Sequence, residues 1–453
     1  MAPSLQDWLP EDHLARFVAD VMNELNLSSI YAEYERSDGR GLSAYHPLLL
    51  TRLLLYGYCI GVTSSRAIEK AIYDNVAFRY LATDQHPDHD TIASFRREHL
   101  QALAGLFVQA LRLCQQAGLV KLGNVALDGT KILANASPHR SVTHQKLLER
   151  EQYWKSVVDQ LLAGAETTDQ REDQQFGSGQ SSDPLPEELA HAQSRLKRIQ
   201  QAKAELEKEA QQHLEAVTGN RAARKPGRPR KEQASNPPAD PQEREKEKKR
   251  RRRARRNAGH PTRQYNFVDP DSRVMWDNAR KSFVQSYNAQ IAVDAHQQVI
   301  VAAEVTQQVT DREQLLPMVQ SVRATAQGVP ETILADAGYW DTTSLRDPSL
   351  QDVQVLVSPD AQVQPLNTSL PLTVPKNQEA MRMRELLLSP AGRLLYALRQ
   401  MTVEPVFGQI KETRGLRRFR FRGFARVQCE WKLICATHNL LKLFRFRSAL
   451  AQA

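Results

Sequence analysis

The length and charge of the chain restrict its class. At 453 residues it exceeds what one ordinary hydrophobic core holds, so two or three domains are expected. The net charge is +9, and the basic residues are concentrated in a few runs. This indicates a polyanionic partner, with nucleic acid as the first candidate. Four cysteines without CxxC spacing indicate neither a zinc site nor a disulfide framework, and we expect no secretion signal or membrane span, which favours the cytoplasm.

The N-terminal region has a helical pattern throughout. Apolar residues recur at three- and four-residue spacing from Glu11 to about Ala117, which predicts an all-α domain over residues 1–118. A short turn beginning at Gly61 separates two of its helices, and a serine can cap the second. This helix-turn-helix pattern is typical of DNA-binding domains and also of ordinary packing units, so both interpretations stay open.

A β-prone run that carries the first candidate catalytic acid begins at Asn124. In NVALDGTKI, Asp128 closes an apolar segment and Gly129 follows it, so the run predicts the first strand of a new domain. A carboxylate at a strand end is either a turn residue or a site residue, and Asp-Gly is a common turn dipeptide. Asp128 taken alone is therefore ambiguous.

Residues 141–260 depart from any compact α/β pattern. Leu147, Trp154 and Leu161 recur every seven residues, and a second heptad series follows, so two helices packed in a hairpin are predicted. The remainder is polar, Pro-rich or basic and is expected to be disordered.

A basic stretch within this segment is a candidate DNA contact. Residues 225–231 resemble an AT-hook, in which an extended Gly-Arg-Pro segment places an arginine in a narrow minor groove. DNA contacts are therefore predicted for Lys225, Arg228 and Arg230. The alternative is a solvated linker, although a block of like charges repels itself unless phosphates neutralise it.

The α/β pattern resumes at Tyr265 and carries the second candidate acid. Two strand-like runs, a helix beginning at Asp311 and a third apolar run, ETILADAGYWD, follow one another. In the third run Asp336 comes directly after the apolar residues and before Ala337 and Gly338, which let a ligand approach the strand end closely.

The third acid, Glu404, lies in a short amphipathic segment. Thr402 as a cap, Pro405 in the first turn and Gly415 at the end predict a helix of roughly three turns. Glu404, Gly408 and Lys411 share one stripe of that helix, which suits a metal site that a phosphodiester must approach.

A basic run follows this helix. Its arginines alternate with phenylalanines, so an extended segment would bury the aromatic rings and present guanidinium groups to phosphates, unless the arginines are merely solvated. The predicted DNA contacts of this region are Lys411, Arg414, Arg417, Arg418, Arg420 and Arg422.

Together, Asp128, Asp336 and Glu404 offer the hard oxygen ligands that two-metal phosphoryl chemistry requires. The surrounding motifs LDGTK, YNAQIAVD, VTDREQLLPM, LADAGYWD and VEPVFGQIK resemble, in this order, those of bacterial insertion-sequence transposases of the DDE superfamily. Lys411 matches the lysine that follows the glutamate in many members. Tyr396 and Arg399 stand one residue farther from Glu404 than the family pattern places a tyrosine and an arginine.

The resemblance implies a fold and a site. The expected fold is an α+β or α/β multidomain chain, in which an all-α N-terminal domain precedes an RNase-H-like mixed sheet flanked by helices. The catalytic domain would comprise residues 119–140 and 261–453, interrupted by the helical and partly disordered insertion at 141–260. The family triad of metal ligands would be Asp128, Asp336 and Glu404.

The resemblance also implies an activity and partners. Two Mg²⁺ ions, or Mn²⁺ as a substitute, would support hydrolysis of DNA at the element ends and transfer of the freed 3′-hydroxyl into target DNA. The partners would be double-stranded DNA, as terminal repeats and target, and a second copy of the chain in a dimer on DNA within the bacterial nucleoid. The alternatives are an RNase-H-like nuclease that only cleaves and a catalytically silent, transposase-derived DNA-binding protein.

Overall fold

The computed structural model describes residues 7–35, 45–176, 187–218, 263–359 and 378–452. These residues belong to two compact units, one formed by residues 1–136 and 271–453 and the other by residues 137–270. The predicted DNA contacts Lys225, Arg228 and Arg230 lie outside the described residues, as does most of the expected disordered part of the insertion.

The first unit begins with helices, as predicted. They are α1 (Leu14–Val21), α2 (Ser28–Glu35), α3 (Pro47–Ile60), α4 (Ser65–Asp74), α5 (Val76–Leu81), α6 (His89–Glu98) and α7 (Leu100–Gln116). Helix α3 ends because Gly61 adopts a φ of 85°, in the left-handed region that glycine tolerates, and α4 then leaves at 97° to α3. In the described part of the chain, no single helix is long and apolar enough to span a membrane.

A mixed sheet follows the helices. The strands of the chain are β1 (Asn124–Leu133), β2 (Ser141–Val142), β3 (Tyr265–Asn266), β4 (Arg273–Asp277), β5 (Ser282–Asp294), β6 (Val299–Thr306), β7 (Thr332–Ala335) and β8 (Gln354–Val357). β5 pairs antiparallel with β1, β4 and β6, whereas β7 is parallel to both β1 and β8. The order across the sheet is therefore β6-β5-β1-β7-β8, and β4 pairs with the first residues of β5, Ser282 to Ser286.

Helices from the second half of the chain cover this sheet. They are α10 (Leu315–Ala326), α11 (Thr342–Leu345), α12 (Gln378–Leu388), α13 (Pro390–Gly408) and α14 (Phe424–Gln452). Helix α13 packs against β1, β5 and β7, and α14 packs against β6. A helical N-terminal part and a mixed sheet flanked by helices confirm the predicted fold class.

The predicted separate N-terminal domain shares a core with the sheet. Helix α14 packs against α7 and α3 and also against β6. Its Trp431 is fully buried, and its indole Nε1 donates a hydrogen bond to the carbonyl oxygen of Gln290 on β5 at 3.0 Å. The N-terminal helices and the sheet thus form one compact unit.

The helix around Glu404 differs from the prediction. It begins at Pro390, with Ser389 as its N-cap, and Pro405 lies inside it rather than in its first turn. Thr402 is no cap, since its hydroxyl donates within the helix to Leu398. After Gly408 the chain makes a π-helical turn over Gln409–Thr413, and Gly415, at a φ of 65°, ends the segment as predicted.

The second unit is built on the predicted helix pair. Helices α8 (His144–Phe176) and α9 (Glu187–Thr218) pack along each other, and the short β2 and β3 pair beside them. The heptad positions Leu147 and Ile199 are buried in one cluster with Tyr265 of β3. The seven-residue spacing therefore identified the buried faces of both helices correctly.

Candidate active site

The parallel pairing of β1 with β7 brings two of the predicted acids together. Val125 and Ala126 on β1 lie opposite Ile333 and Leu334 on β7. Asp128 stands two residues after Ala126, and Asp336 stands two residues after Leu334, just past the end of β7. The register therefore brings the two aspartates near each other, and the charge of Asp336 acts on Asp128. The sequence suggested that Asp128 ends its strand, but β1 continues to Leu133, paired along this length with β5.

Local backbone geometry orients both carboxylates. Oδ1 of Asp128 accepts a hydrogen bond from the backbone N–H of Gly129 at 2.8 Å. Asp336 caps the 3₁₀ turn Ala337–Tyr339 and accepts from the N–H of Gly338 at 2.9 Å. One oxygen of each carboxylate is thus held by a backbone N–H, and the other lone pairs can bind further partners.

Burial and neighbouring acids raise the proton affinity of both carboxylates. Burial, together with the nearby charge of Asp336, raises the pKa of Asp128 to about 7. Burial also raises the pKa of Asp336, with an added contribution from a third acid, Asp311. A cluster of this kind favours either protons or a cation between its members.

Arg399 is the nearest counter-charge. Its Nη1 lies 3.9 Å from Oδ2 of Asp128, and it opposes the rise in pKa of both Asp128 and Asp336. Its guanidinium lies 5.9 Å from the centre of the Tyr396 ring, three residues earlier on α13. Tyr396 and Arg399 stand one residue farther from Glu404 than the family spacing places them. They lie on the helix that carries Glu404, and Arg399 reaches the aspartates from it.

Sequence reasoning missed Asp311 as a site residue and treated it as the start of a helix. Helix α10 begins only at Leu315, and the Asp311 carboxylate instead accepts from Nδ2 of Asn288 and Nε2 of Gln290, both at 2.6 Å. Asn288 and Gln290 are fully buried on one face of β5. Two amides at i and i+2 of one strand share a face, and this spacing was the sequence signal for a polar site on that face.

Two glycines leave space for this acid. A Cβ on Gly129 would lie 2.2 Å from Nε2 of Gln290 and 2.6 Å from Oδ1 of Asp311. A Cβ on Gly338 would lie 2.9 Å from Oδ1 of Asp336 and 3.5 Å from Oδ2 of Asp311. Asp311 therefore borders both strands that carry the other aspartates.

Two further titratable groups face the acids. Tyr339 is fully buried, its hydroxyl hydrogen-bonds Oε1 of Gln290, and burial together with the acidic charges raises its pKa. Burial lowers the pKa of Lys131, against the opposing effect of Asp311 and Asp128. The site is thus a mostly buried acidic cluster with cations at its border.

Glu404 is not gathered with the aspartates in this conformation. Its side chain is exposed on α13, five residues after Arg399. Across the described ranges, no three His, Cys, Asp or Glu side chains stand close enough together to hold a metal ion. The structure brings Asp128, Asp336 and Asp311 into one neighbourhood and leaves the third member of the predicted triad on an adjoining helix.

Comparison with protein families identifies the chain. Residues 3–98 match the family described as "Transposase domain (DUF772)", and residues 256–440 match the family described as "Transposase DDE domain". The chain belongs to the DDE transposases of insertion sequences. Comparison with curated proteins and with solved structures gives no match.

The two matched segments of the transposase divide the site unevenly. Asp311, Asp336 and Glu404 lie within the DDE match, whereas Asp128 falls between the two matches. Strand register, not the family match, therefore connects Asp128 to the rest of the site.

The predicted DNA contacts of the transposase fall into three environments. Nζ of Lys411 donates to the hydroxyl of Thr130 at 2.7 Å, and burial lowers its pKa, with Asp128 among the opposing charges. Lys411 thus lies beside Thr130 of β1, which is two residues after Asp128. Arg414 is buried, and its Nη1 donates to Thr437 at 2.9 Å, so it is a core residue rather than a DNA contact.

The remaining arginines of the basic run lie on the surface. Arg417 pairs with Glu412, Nε of Arg420 donates to Thr63, and Nε of Arg422 donates to the carbonyl oxygen of Asn135. The segment makes only an isolated bridge, from Arg418 to Leu133, within the described chain instead of the expected strand. All four side chains are exposed.

Proposed function

We propose that this transposase hydrolyses DNA at the ends of an insertion sequence and joins the freed 3′-hydroxyl to target DNA. The observation that supports it most is the register of β1 and β7, which sets Asp128 beside Asp336. Asp128, Asp336 and Glu404 would hold two Mg²⁺ ions, for which Mn²⁺ is a plausible substitute. The bound ions would supply Lewis-acid activation of the attacking oxygen and stabilisation of the leaving one.

The donor atoms present suit such ions. Mg²⁺ prefers oxygen ligands, and neighbouring acids raise the pKa of Asp128 and of Asp336, a repulsion that a divalent cation would relieve. Beside Asp311, Oδ1 of Asn288 is buried and has no hydrogen-bond partner among the described atoms. An unsatisfied amide oxygen next to carboxylates is what a cation or an ordered water would satisfy.

The chain's own residues perform the positioning. Arg399 neutralises part of the aspartate charge before a cation enters, and Glu404 would approach from the same helix. Lys411 and the exposed Arg417, Arg418, Arg420 and Arg422 would bind phosphates of the duplex, since guanidinium groups match phosphate geometry. A dimer acting on two element ends in the bacterial nucleoid is part of the proposal.

A single reaction series separates this proposal from its alternatives. Purified protein is incubated with Mg²⁺, a duplex carrying the element's terminal repeat and a supercoiled target plasmid. Joined product supports transposition, whereas cut ends without joined product indicate a nuclease that only cleaves. Binding without cleavage indicates a catalytically silent DNA-binding protein.

A further inference from the structure

The second unit contains a cavity that the transposase chemistry does not use. It has a volume of about 630 Å³ and lies between α8, α9 and the segments that flank β2 and β3. This volume falls in the range of small-molecule sites, which is enough for a nucleotide or two.

The floor of the cavity is aromatic and fixed. Trp154 packs on two buried clusters of the helix pair, and Phe267 packs on one of them. The backbone N–H of Phe267 donates to the carbonyl oxygen of Arg140 at 3.2 Å, which fixes the loop at the cavity edge. Tyr153 stands edge-on to Trp154, at 5.4 Å between ring centres, with 61% of its surface exposed. Exposed aromatic faces of this kind stack on nucleic-acid bases.

The rim of the cavity is cationic. Arg140, Arg150, Arg195 and Arg198 line it together with His139, and all four guanidinium side chains are exposed. Arg195 lies over the Trp154 ring at 4.9 Å from its centre. No acidic residue lines the cavity, within the described part of this unit.

Two carboxylates of α8 and α9 are paired with cations that do not line the cavity. Glu151 binds Lys155 and Lys203 at 3.0 and 2.9 Å, and Glu209 binds Arg263 at 2.8 Å. Four like charges are thus held around an aromatic floor, an arrangement that an anionic ligand with a flat ring would stabilise.

We propose that this cavity binds an unpaired stretch of DNA, with phosphates on the arginines and a base on the Tyr153–Trp154 surface. An unpaired strand is favoured over a duplex because the bases of a duplex already stack on each other and cannot reach the aromatic floor. The inference rests on the proposed function only for the choice of DNA as the polymer.

The test measures binding of a fluorescein-labelled 12-mer of thymidine to the full chain by fluorescence anisotropy in EDTA, where no cleavage occurs. Replacing both Arg150 and Arg195 by Ala should weaken binding at least tenfold. The slope of log affinity against log salt should fall by about 1.4, since each phosphate contact on a single strand contributes about 0.7. Tyr153→Ala should weaken binding at least fivefold, because a base loses a stacking partner.

The matched control removes the same charge from the same helices. Lys146 and Lys197 are exposed on α8 and α9 but do not line the cavity, so their double replacement by Ala should change affinity less than threefold. Circular dichroism of every variant confirms that the helix pair is folded.

Three results would overturn the inference. The first is an equal loss in the arginine and lysine pairs, and the second is an equal loss for a 12-base-pair duplex and the single strand. The third is unchanged affinity for an oligonucleotide of abasic sites. All binding is measured without metal, whereas the proposed function is tested by cleavage in Mg²⁺. The two proposals can therefore fail independently: an inactive transposase could still bind the strand, and an active one could fail to bind it.

Discussion

The space above Gly129 gives the sharpest test of the acidic site. A methyl group there would lie 2.2 Å from Nε2 of Gln290, 2.6 Å from Oδ1 of Asp311 and 3.0 Å from Oδ1 of Asn288. These side chains cannot simply move aside, because the amides of Gln290 and Asn288 are fully buried and hold the Asp311 carboxylate. Gly129→Ala must therefore displace Asp311 from its two amide donors.

The expected cost follows from the contacts. Overpacking a buried site costs about 1–3 kcal/mol, and a hydrogen bond to a charged acceptor is worth about 1.5–3 kcal/mol. We expect the free energy of unfolding of the unit that contains β1 to fall by about 3 kcal/mol. Cleavage measured well below the melting temperature should also fall, since Asp311 borders both other aspartates.

Urea unfolding followed by circular dichroism measures this change. Gly105→Ala is the matched control, because Gly105 is exposed on α7 and a Cβ there meets nothing within 4 Å. It should raise stability by up to about 1 kcal/mol, as alanine is the better helix former. If Gly129→Ala unfolds at the same urea concentration as wild type and cleaves normally, the amide pair does not occupy this space and the placement of Asp311 is wrong.

Three further predictions concern neighbouring residues. Burial and Asp336 raise the pKa of Asp128 to about 7, so the folded protein binds this proton more tightly than the unfolded chain does. Without metal, the stability that this proton contributes should be lost as pH rises from about 4 through 7. The loss should be on the order of 4 kcal/mol in all. Asp128→Asn should flatten this dependence in melting curves at pH 5 and pH 8 in EDTA, and an unaltered pH profile would refute the crowding of the acids. Gly408→Leu should melt no lower than wild type, because a Cβ there meets nothing within 4 Å, yet it should block single-turnover cleavage if DNA passes this face; normal cleavage would place the face away from DNA. Lys411→Ala should weaken binding of the cleaved end by about 1.5–3 kcal/mol while leaving metal affinity unchanged, and equal affinity for that end would remove Lys411 from the DNA contacts.

Local patterns allowed much of the fold to be predicted from the sequence. The heptad spacing of Leu147 and its partners identified the buried faces of α8 and α9, because heptad packing depends on neighbours in sequence. The apolar runs before Asp128 and Asp336 identified β1 and β7. The position of Asp128 within β1 was beyond such patterns, because the continuation of β1 depends on pairing with the distant β5.

Errors arose where distant contacts override local signals. The sequence predicts a helix with Thr402 as its cap and Pro405 in its first turn, whereas Ser389 and Pro390 give the stronger start and the long α13 tolerates Pro405 inside it. In a run of arginines, sequence cannot show which one is buried; Arg414 is, because Thr437 accepts its hydrogen bond in the core. Asp311 was missed because it lies in a loop more than twenty residues from its amide donors, Asn288 and Gln290, and only the fold brings the three side chains together.

The most direct measurement of the central proposal is single-turnover cleavage of a terminal-repeat duplex in Mg²⁺, together with anisotropy of the same duplex in EDTA. Asp128→Asn, Asp336→Asn and Glu404→Gln should each abolish cleavage and strand transfer, because metal ligation needs the carboxylate charge, while duplex affinity stays within threefold of wild type. Near-normal cleavage by either aspartate variant would contradict the proposed metal site. Near-normal cleavage by Glu404→Gln would show that the third ligand is another acid, with Asp311 the first to examine.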